Sequence, residues 1–236
     1  MKYLIVGSGR VAKHFAHYFS LLDIPYSSWS RRSHSVNELK QSLAGISHIL
    51  LLISDSVLEE FFKQHLKDCH CPVIHFSGAL EISGMTSAHP LMSFSENLYS
   101  LETYQKIPFI LTLDQTLSEI LPGLPNPSVR IAPEQKAYYH ALCVAGGNFT
   151  SLLWKNMALG FQRLGLPEST FHPYLKQITE NILANPNTAA TGPLVRKDLS
   201  TVVANQKALS DDPLQKIYRA FVDVYFPEAG ASMGEL

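Results

Sequence analysis

Lys2-Tyr3-Leu4-Ile5-Val6-Gly7-Ser8-Gly9-Arg10-Val11-Ala12 opens the chain and decides how the rest is read. The first five residues are a short apolar run of strand formers. Two glycines follow, and then Val11, Phe15, Tyr18, Phe19 and Leu22 recur at helical spacing. The order is strand, glycine turn, helix. Gly7 permits the tight turn, Gly9 leaves the backbone open to a diphosphate, and Ala12 lets the helix lie close to the strand. Free N–H groups at the helix start attract phosphate. Gly7, Ser8, Gly9, Arg10, Val11 and Ala12 are therefore the candidate dinucleotide-binding turn.

The next strand end distinguishes between nucleotides. A chain selecting NAD usually places an acid about 20 residues beyond the glycines, for the ribose hydroxyls. Here Tyr26-Ser27-Ser28-Trp29 reads as the second strand and Ser30-Arg31-Arg32 follows it. A hydroxyl and two guanidiniums suit a 2′-phosphate, which arginine grips through a planar fork of donors. NADP is the expected cofactor.

Further strands are expected over Ile46 to Ile53, Pro72 to Phe76, Ile107 to Leu113 and Val129 to Ile131. Ser54-Asp55 and Ser77-Gly78 stand at two more strand ends, with Ser54 and Asp55 placed to cap the helix carrying Val57, Leu58, Phe61 and Phe62. Ligands in doubly wound sheets bind outside the carboxyl ends of the strands, so Gly7, Ser30, Ser54 and Ser77 share one rim. From Pro133 onward the pattern turns helical: Tyr138, Ala141, Leu142, Ala145, Phe149, Leu152 and Leu153 form an apolar stripe. More helices are expected near Glu168 to Leu183, Leu199 to Leu209 and Pro213 to Tyr225, broken at Asn185-Pro186-Asn187 and Thr191-Gly192-Pro193. The predicted architecture is α/β: a Rossmann domain with a doubly wound, mostly parallel sheet over residues 1–132, then an all-α domain over 133–236.

The 236 residues include 46% apolar and 17% charged side chains with a net charge of −1, so no basic field recruits nucleic acid or an acidic membrane. The N-terminal apolar run reads as a strand and not as a signal peptide. Three cysteines suggest free thiols and a cytoplasmic location. Cys69-His70-Cys71 with His75 lacks the spaced pairs of a metal site, and no metal is expected.

Several segments carry a resemblance: Gly7-Ser8-Gly9-Arg10-Val11-Ala12, His75-Phe76-Ser77-Gly78-Ala79, His89-Pro90-Leu91, Tyr139-His140-Ala141, Gly147-Asn148-Phe149, and Thr191-Gly192-Pro193-Leu194-Val195-Arg196-Lys197-Asp198. Together they resemble a Rossmann-like family with a C-terminal domain of unknown function, within the 6-phosphogluconate dehydrogenase-like superfamily. More distant likenesses are to prephenate dehydrogenase, pyrroline-5-carboxylate reductase and ketopantoate reductase. The resemblance implies a helical C-terminal domain of the 6-phosphogluconate dehydrogenase type and an NADP-dependent oxidoreductase acting on a small carbonyl, imine or hydroxy acid. β-Hydroxyacid dehydrogenases carry a lysine one turn before an asparagine. Asn148 fits the asparagine, but Val144 stands in the lysine place. A non-catalytic NADP-binding sensor or scaffold is the competing reading.

Within the oxidoreductase reading, His89 is the candidate for proton exchange, because imidazole titrates near neutrality. It is expected in a loop, with Ser77 orienting it or the substrate. Asn148 is expected to hold a polar group of the substrate, beside Gly146 and Gly147, which interrupt a helical pattern. Arg196, Lys197 and Asp198 read as helix-capping and ion-pairing residues, or as a group that binds an anionic substrate across a dimer. A homodimer through the helical domain is expected, because its many apolar faces need cover.

Overall fold

A computed structural model describes residues 1–233 of the chain. It divides into two compact units, Met1–Asn148 and the chain from Phe149 onward. In the first unit the order is β1 (Tyr3–Val6), α1 (Arg10–Leu21), β2 (Tyr26–Trp29), α2 (Val36–Ser42), β3 (His48–Leu51), α3 (Asp55–His65), β4 (Val73–His75) and β5 (Thr86–Pro90). It continues with α4 (Leu101–Gln105), β6 (Phe109–Leu111), α5 (Leu117–Ile120), β7 (Ser128–Arg130), α6 (Lys136–Cys143) and a π-helical turn (Val144–Asn148).

The seven strands form one sheet in the order β2-β1-β3-β4-β5-β6-β7. All neighbours are parallel except β5 and β6, which pair antiparallel with His89 opposite Ile110. This is the expected doubly wound, mostly parallel Rossmann sheet. Every residue of β1 is buried, and alternation assigns its side chains to two cores. Tyr3 and Ile5 join Phe15 and Phe19 of α1 together with Phe76 and Phe109. Leu4 and Val6 join Leu39 of α2 and Leu58 and Phe62 of α3. The strand direction of crossing reverses between β1 and β3, so their carboxyl ends open a crevice.

The expected strand Ile46 to Ile53 shortens to His48–Leu51, and Ile107 to Leu113 shortens to Phe109–Leu111. His89 lies on β5 and not in a loop. Thr86–Pro90 carries little strand signal in its own sequence; pairing with β4 and β6 makes it a strand. The division of the chain falls after Asn148 rather than after residue 132, because α6 docks on the sheet unit: the buried Lys136 ion-pairs with Glu81 at 2.9 Å.

The second unit is helical: α7 (Phe149–Arg163), α8 (His172–Ala184), α9 (Pro186–Ala189), α10 (Pro193–Arg196), α11 (Leu199–Ala208), α12 (Leu214–Tyr225) and α13 (Pro227–Met233). Val202, Val222, Phe226 and Ala229 form its buried cluster. Asp198 caps α11, accepting from the Thr201 amide at 3.1 Å and from its hydroxyl at 2.7 Å. Lys197 donates to the Tyr225 carbonyl at 2.8 Å and lies 4.6 Å from the centre of the Phe226 ring. Among the described residues no helix is long and apolar enough to cross a membrane.

The two glycines of the first turn have different physical roles. Gly7 has φ +136, and a Cβ there would lie 2.1 Å from the Leu52 carbonyl oxygen. Gly9 has φ −71 and open space where a Cβ would stand. Gly7→Ala should therefore lower unfolding free energy by more than about 2 kcal/mol in urea titration. Gly9→Ala, which loses only a favourable N-cap residue, should cost less than about 1 kcal/mol in the same measurement.

Candidate active site

The carboxyl ends of β1, β2 and β3 surround a cleft of about 570 Å³. That volume lies within the usual range for small-molecule pockets. Gly7, Ser8, Gly9, Arg10 and Val11 line one side, Ser30, Arg31 and Arg32 another, and Ser54, Asp55 and Ser77 a third. His89, Met92 and Phe94 line it as well. Each sequence-predicted cofactor residue thus meets the cleft except Ala12, which is buried against the core as a close helix–strand contact requires. Asn148 is exposed on the π-helical turn and does not line the cleft. The expected trio is therefore reduced to Ser77 and His89.

The β2 end is built by its own backbone. Ser30 is buried, with its hydroxyl 2.8 Å from that of Ser33, and its amide faces His34 Nδ1 at 3.4 Å. Arg31 and Arg32 are exposed and make no ion pair among the described residues. Among the described residues Asp55 supplies the one carboxylate lining the cleft, and it stands at the β3 end. Ser54 is the N-cap residue of α3 by position, but its side chain makes no capping bond.

Ser77 has a narrower role than the sequence suggests. Its hydroxyl donates to Asp55 Oδ2 at 2.7 Å and accepts from the amides of Ala79 at 3.3 Å and Leu80 at 3.0 Å. One donor and two acceptor sites are thereby used, which leaves nothing for a substrate. Ser77 orients Asp55 and closes the turn after β4.

His89 is set by α6. Its Nδ1 lies 2.8 Å from the Tyr139 hydroxyl, with the two rings edge-on at 5.6 Å. The His140 ring stands perpendicular at 5.9 Å. His140 reaches this place because Gly78 has no side chain: a Cβ there would lie 2.2 Å from His140 Cδ2. Beneath them the buried Lys136 amine donates to the Leu80 carbonyl and to the Ser87 hydroxyl, and its pKa is lowered by burial against the opposing pull of Glu81. Burial, then the neighbouring His140 and Lys136, push the His89 imidazole down to about 4. The expected titration near neutrality is thus displaced, and His89 is uncharged there.

Lys136, Tyr139, His140 and Cys143 stand three and four residues apart and so share one face of α6. The sequence reading followed the opposite, apolar stripe. That stripe is solvent-facing here, with Tyr138 70% and Leu142 54% exposed. The signal for the missed residues was polar periodicity in the same window. His75, the last residue of β4, is fully buried, and no protein group among the described residues bonds either ring nitrogen. Burial, then the Lys136 charge, lower its pKa to about 4.

Residues 112–224 match the model of a domain of unknown function (DUF2520). A candidate NADP oxidoreductase from Bacteroides fragilis has a similar structure, 21% identical over 95% of this chain and 97% of that one, with a TM-score of 0.78. A reductive aminase from Aspergillus terreus in complex with NADPH and ethyl-5-oxohexanoate is 11% identical, covers 94% and 93%, and has a TM-score of 0.65. A 1-pyrroline-5-carboxylate reductase from Streptococcus pyogenes is 15% identical, covers 98% of each chain, and has a TM-score of 0.54. No curated protein matches the chain. Residues 112–224 thus carry a segment similar to this domain of unknown function, and the likeness to the solved structures shows a Rossmann-like fold with a helical C-terminal part.

The two buried histidines set a pH dependence. Their folded pKa values, about 4, lie below the ordinary 6.5, so the unfolded chain binds more protons between those limits. Stability is full above that window and falls as pH drops through it. The fully buried His75 alone should account for on the order of 3 kcal/mol of that loss. In urea titrations across the window, His75→Leu should flatten the slope while raising stability at the acid end.

Proposed function

We propose that the chain is an NADP-dependent oxidoreductase that transfers a hydride to or from a small carbonyl, imine or hydroxy-acid substrate. The observation that carries this reading is the cleft at β1, β2 and β3, with an open Gly9 on one side and two unpaired guanidiniums on the other. Backbone amides at the start of α1 suit a diphosphate, and the absence of a Cβ at Gly9 leaves it room to approach. Ser30, Arg31 and Arg32 suit a 2′-phosphate. Asp55, held by Ser77, accepts hydrogen bonds from hydroxyl or amide donors further along the cleft. The cofactor, when bound, supplies or receives the hydride. His89 meets the polar atom of the substrate from the floor of β5. That similar structures hold NADPH with a keto ester supports the class of chemistry.

The helical unit supplies the surface for a homodimer. Leu152 of α7 is 55% exposed, Leu183 79% and Val224 69%, while only a small apolar cluster is buried in that unit. Apolar surface of this extent favours self-association. Sedimentation equilibrium should give twice the 26.3 kDa chain mass. A monomer at micromolar concentration would remove the dimer from the proposal.

Cofactor choice is tested by calorimetry. The wild-type chain should bind NADPH more tightly than NADH. Replacing Arg31 and Arg32 together by alanine should weaken NADPH about 10- to 100-fold, the worth of one or two charge-assisted hydrogen bonds, and leave NADH nearly unchanged. Equal or tighter binding of NADH by the wild type would overturn the NADP assignment. Turnover of NADPH with a panel of keto acids, ketones and imines then tests the reaction.

A further inference from the structure

We infer that Tyr139 is a positioning residue that holds His89 with its proton on Nε2, so that the cleft offers a neutral hydrogen-bond donor to a substrate atom bearing a lone pair. The argument begins with the 2.8 Å contact between the Tyr139 hydroxyl and His89 Nδ1. Only one proton lies between those atoms, and it belongs either to the phenol or to the ring. A phenol oxygen is a weak acceptor and an imidazole nitrogen a strong one, so the proton sits on the phenol and is donated to Nδ1.

A neutral imidazole that accepts at Nδ1 carries its proton on Nε2. Nε2 lies on the ring edge away from Tyr139, has no protein partner among the described residues, and belongs to a residue that lines the cleft. The groups facing the ring reinforce its neutrality: His140 and Lys136 from α6 oppose a positive charge on it, and burial holds the Tyr139 phenol protonated. Ser77 and Asp55, across the cleft, bond to each other.

The consequence names a substrate class, and it rests on the oxidoreductase reading of the cleft. Nε2–H needs an acceptor. A carbonyl oxygen has lone pairs, whereas a protonated iminium nitrogen has none and would repel the donor. In the favoured reaction a bound NADPH would supply the hydride to the carbonyl carbon and would leave as NADP⁺. The π pair moves onto oxygen, the alkoxide charge grows against Nε2–H, and water supplies the proton. His89 thus stabilises developing charge instead of transferring a proton as imidazolium.

The test is ¹⁵N NMR of the histidine side chains in the full chain, with and without NADPH, with His89 assigned from a His89→Gln variant. Wild type should show Nε2 protonated, Nδ1 bare, and no titration between about pH 5.5 and 8. Tyr139→Phe should release the ring into a mixture of tautomers while NADPH affinity measured by calorimetry stays within about twofold. A wild-type spectrum with the proton on Nδ1, a midpoint near ordinary imidazole values, or a Tyr139→Phe spectrum identical to wild type would each overturn the inference. Should Tyr139→Phe not fold, the wild-type spectrum decides alone. Failure of NADPH to bind with the His89 spectrum as expected would count against the cofactor reading and leave the tautomer assignment standing. On the turnover panel, ketones and aldehydes without added amine should be reduced, and Tyr139→Phe should lower their kcat about tenfold with little change in KM. Reduction restricted to preformed iminium substrates would overturn the class.

Discussion

Three strand ends meet at one glycine. The Gly7 amide donates to the Trp29 carbonyl of β2 at 2.9 Å, and the Leu52 amide beyond β3 donates to the Val6 carbonyl at 2.8 Å. Gly7 itself lies so near Leu52 that a Cβ would stand 2.1 Å from its carbonyl oxygen. With φ +136 the chain turns off the end of β1 and enters α1 without a long loop. The cleft follows from that turn. Because β2 and β3 flank β1 in parallel register, their ends arrive at the same level and deliver Ser30, Arg31, Arg32, Ser54 and Asp55 to its rim. Moving the turn by one residue would invert every side chain of β1 between the two cores.

The inner end of the cleft obeys a different constraint, the burial of an amine. Lys136 is 1% exposed, and a charge taken from water to that depth is costly unless it is fully bonded. Glu81, the Leu80 carbonyl and the Ser87 hydroxyl supply the bonds. They come from the turn after β4 and from β5, so satisfying one amine fixes α6 against two parts of the sheet unit. Tyr139 and His140 are then carried to His89 by helical geometry. The same amine raises the cost of charging His89 and His75, which connects a packing requirement to the protonation state of the cleft.

The readable and unreadable parts of the sequence divide along this line. Local signals sufficed for β1, the glycine turn and α1, because the pattern and the turn chemistry occupy consecutive residues. The rim of the cleft was legible for the same reason: each strand end is marked by its own serine, arginine or aspartate. The β5 strand was not legible, since Thr86–Pro90 becomes a strand through pairing with residues far along the chain. Asn148 was favoured for two adjacent glycines that mark a π-helical turn, a feature often found at functional sites, yet the cleft lies elsewhere. Ser77 lines the cleft, but its valence could not be counted without the amides of Ala79 and Leu80.

The helix α6 shows why periodicity alone misjudged the site. Its apolar residues repeat at helical spacing, and ordinary patterning would turn them inward. Each large apolar side chain left in water forgoes about 1.5–3 kcal/mol of burial. Tyr138 and Leu142 forgo it, while Lys136, buried beneath the opposite face, would lose its partners if the helix rolled to cover them. An unpaired buried cation costs about 3–5 kcal/mol, which offsets the burial of two apolar groups, and a rolled helix would also take His140 away from the space that Gly78 leaves for it. The helix is therefore held with its polar face on the cleft and with Tyr138 and Leu142 exposed. One interaction, the Lys136–Glu81 pair with its two supporting hydrogen bonds, thus sets both the environment of His89 and the exposure of the opposite face of α6.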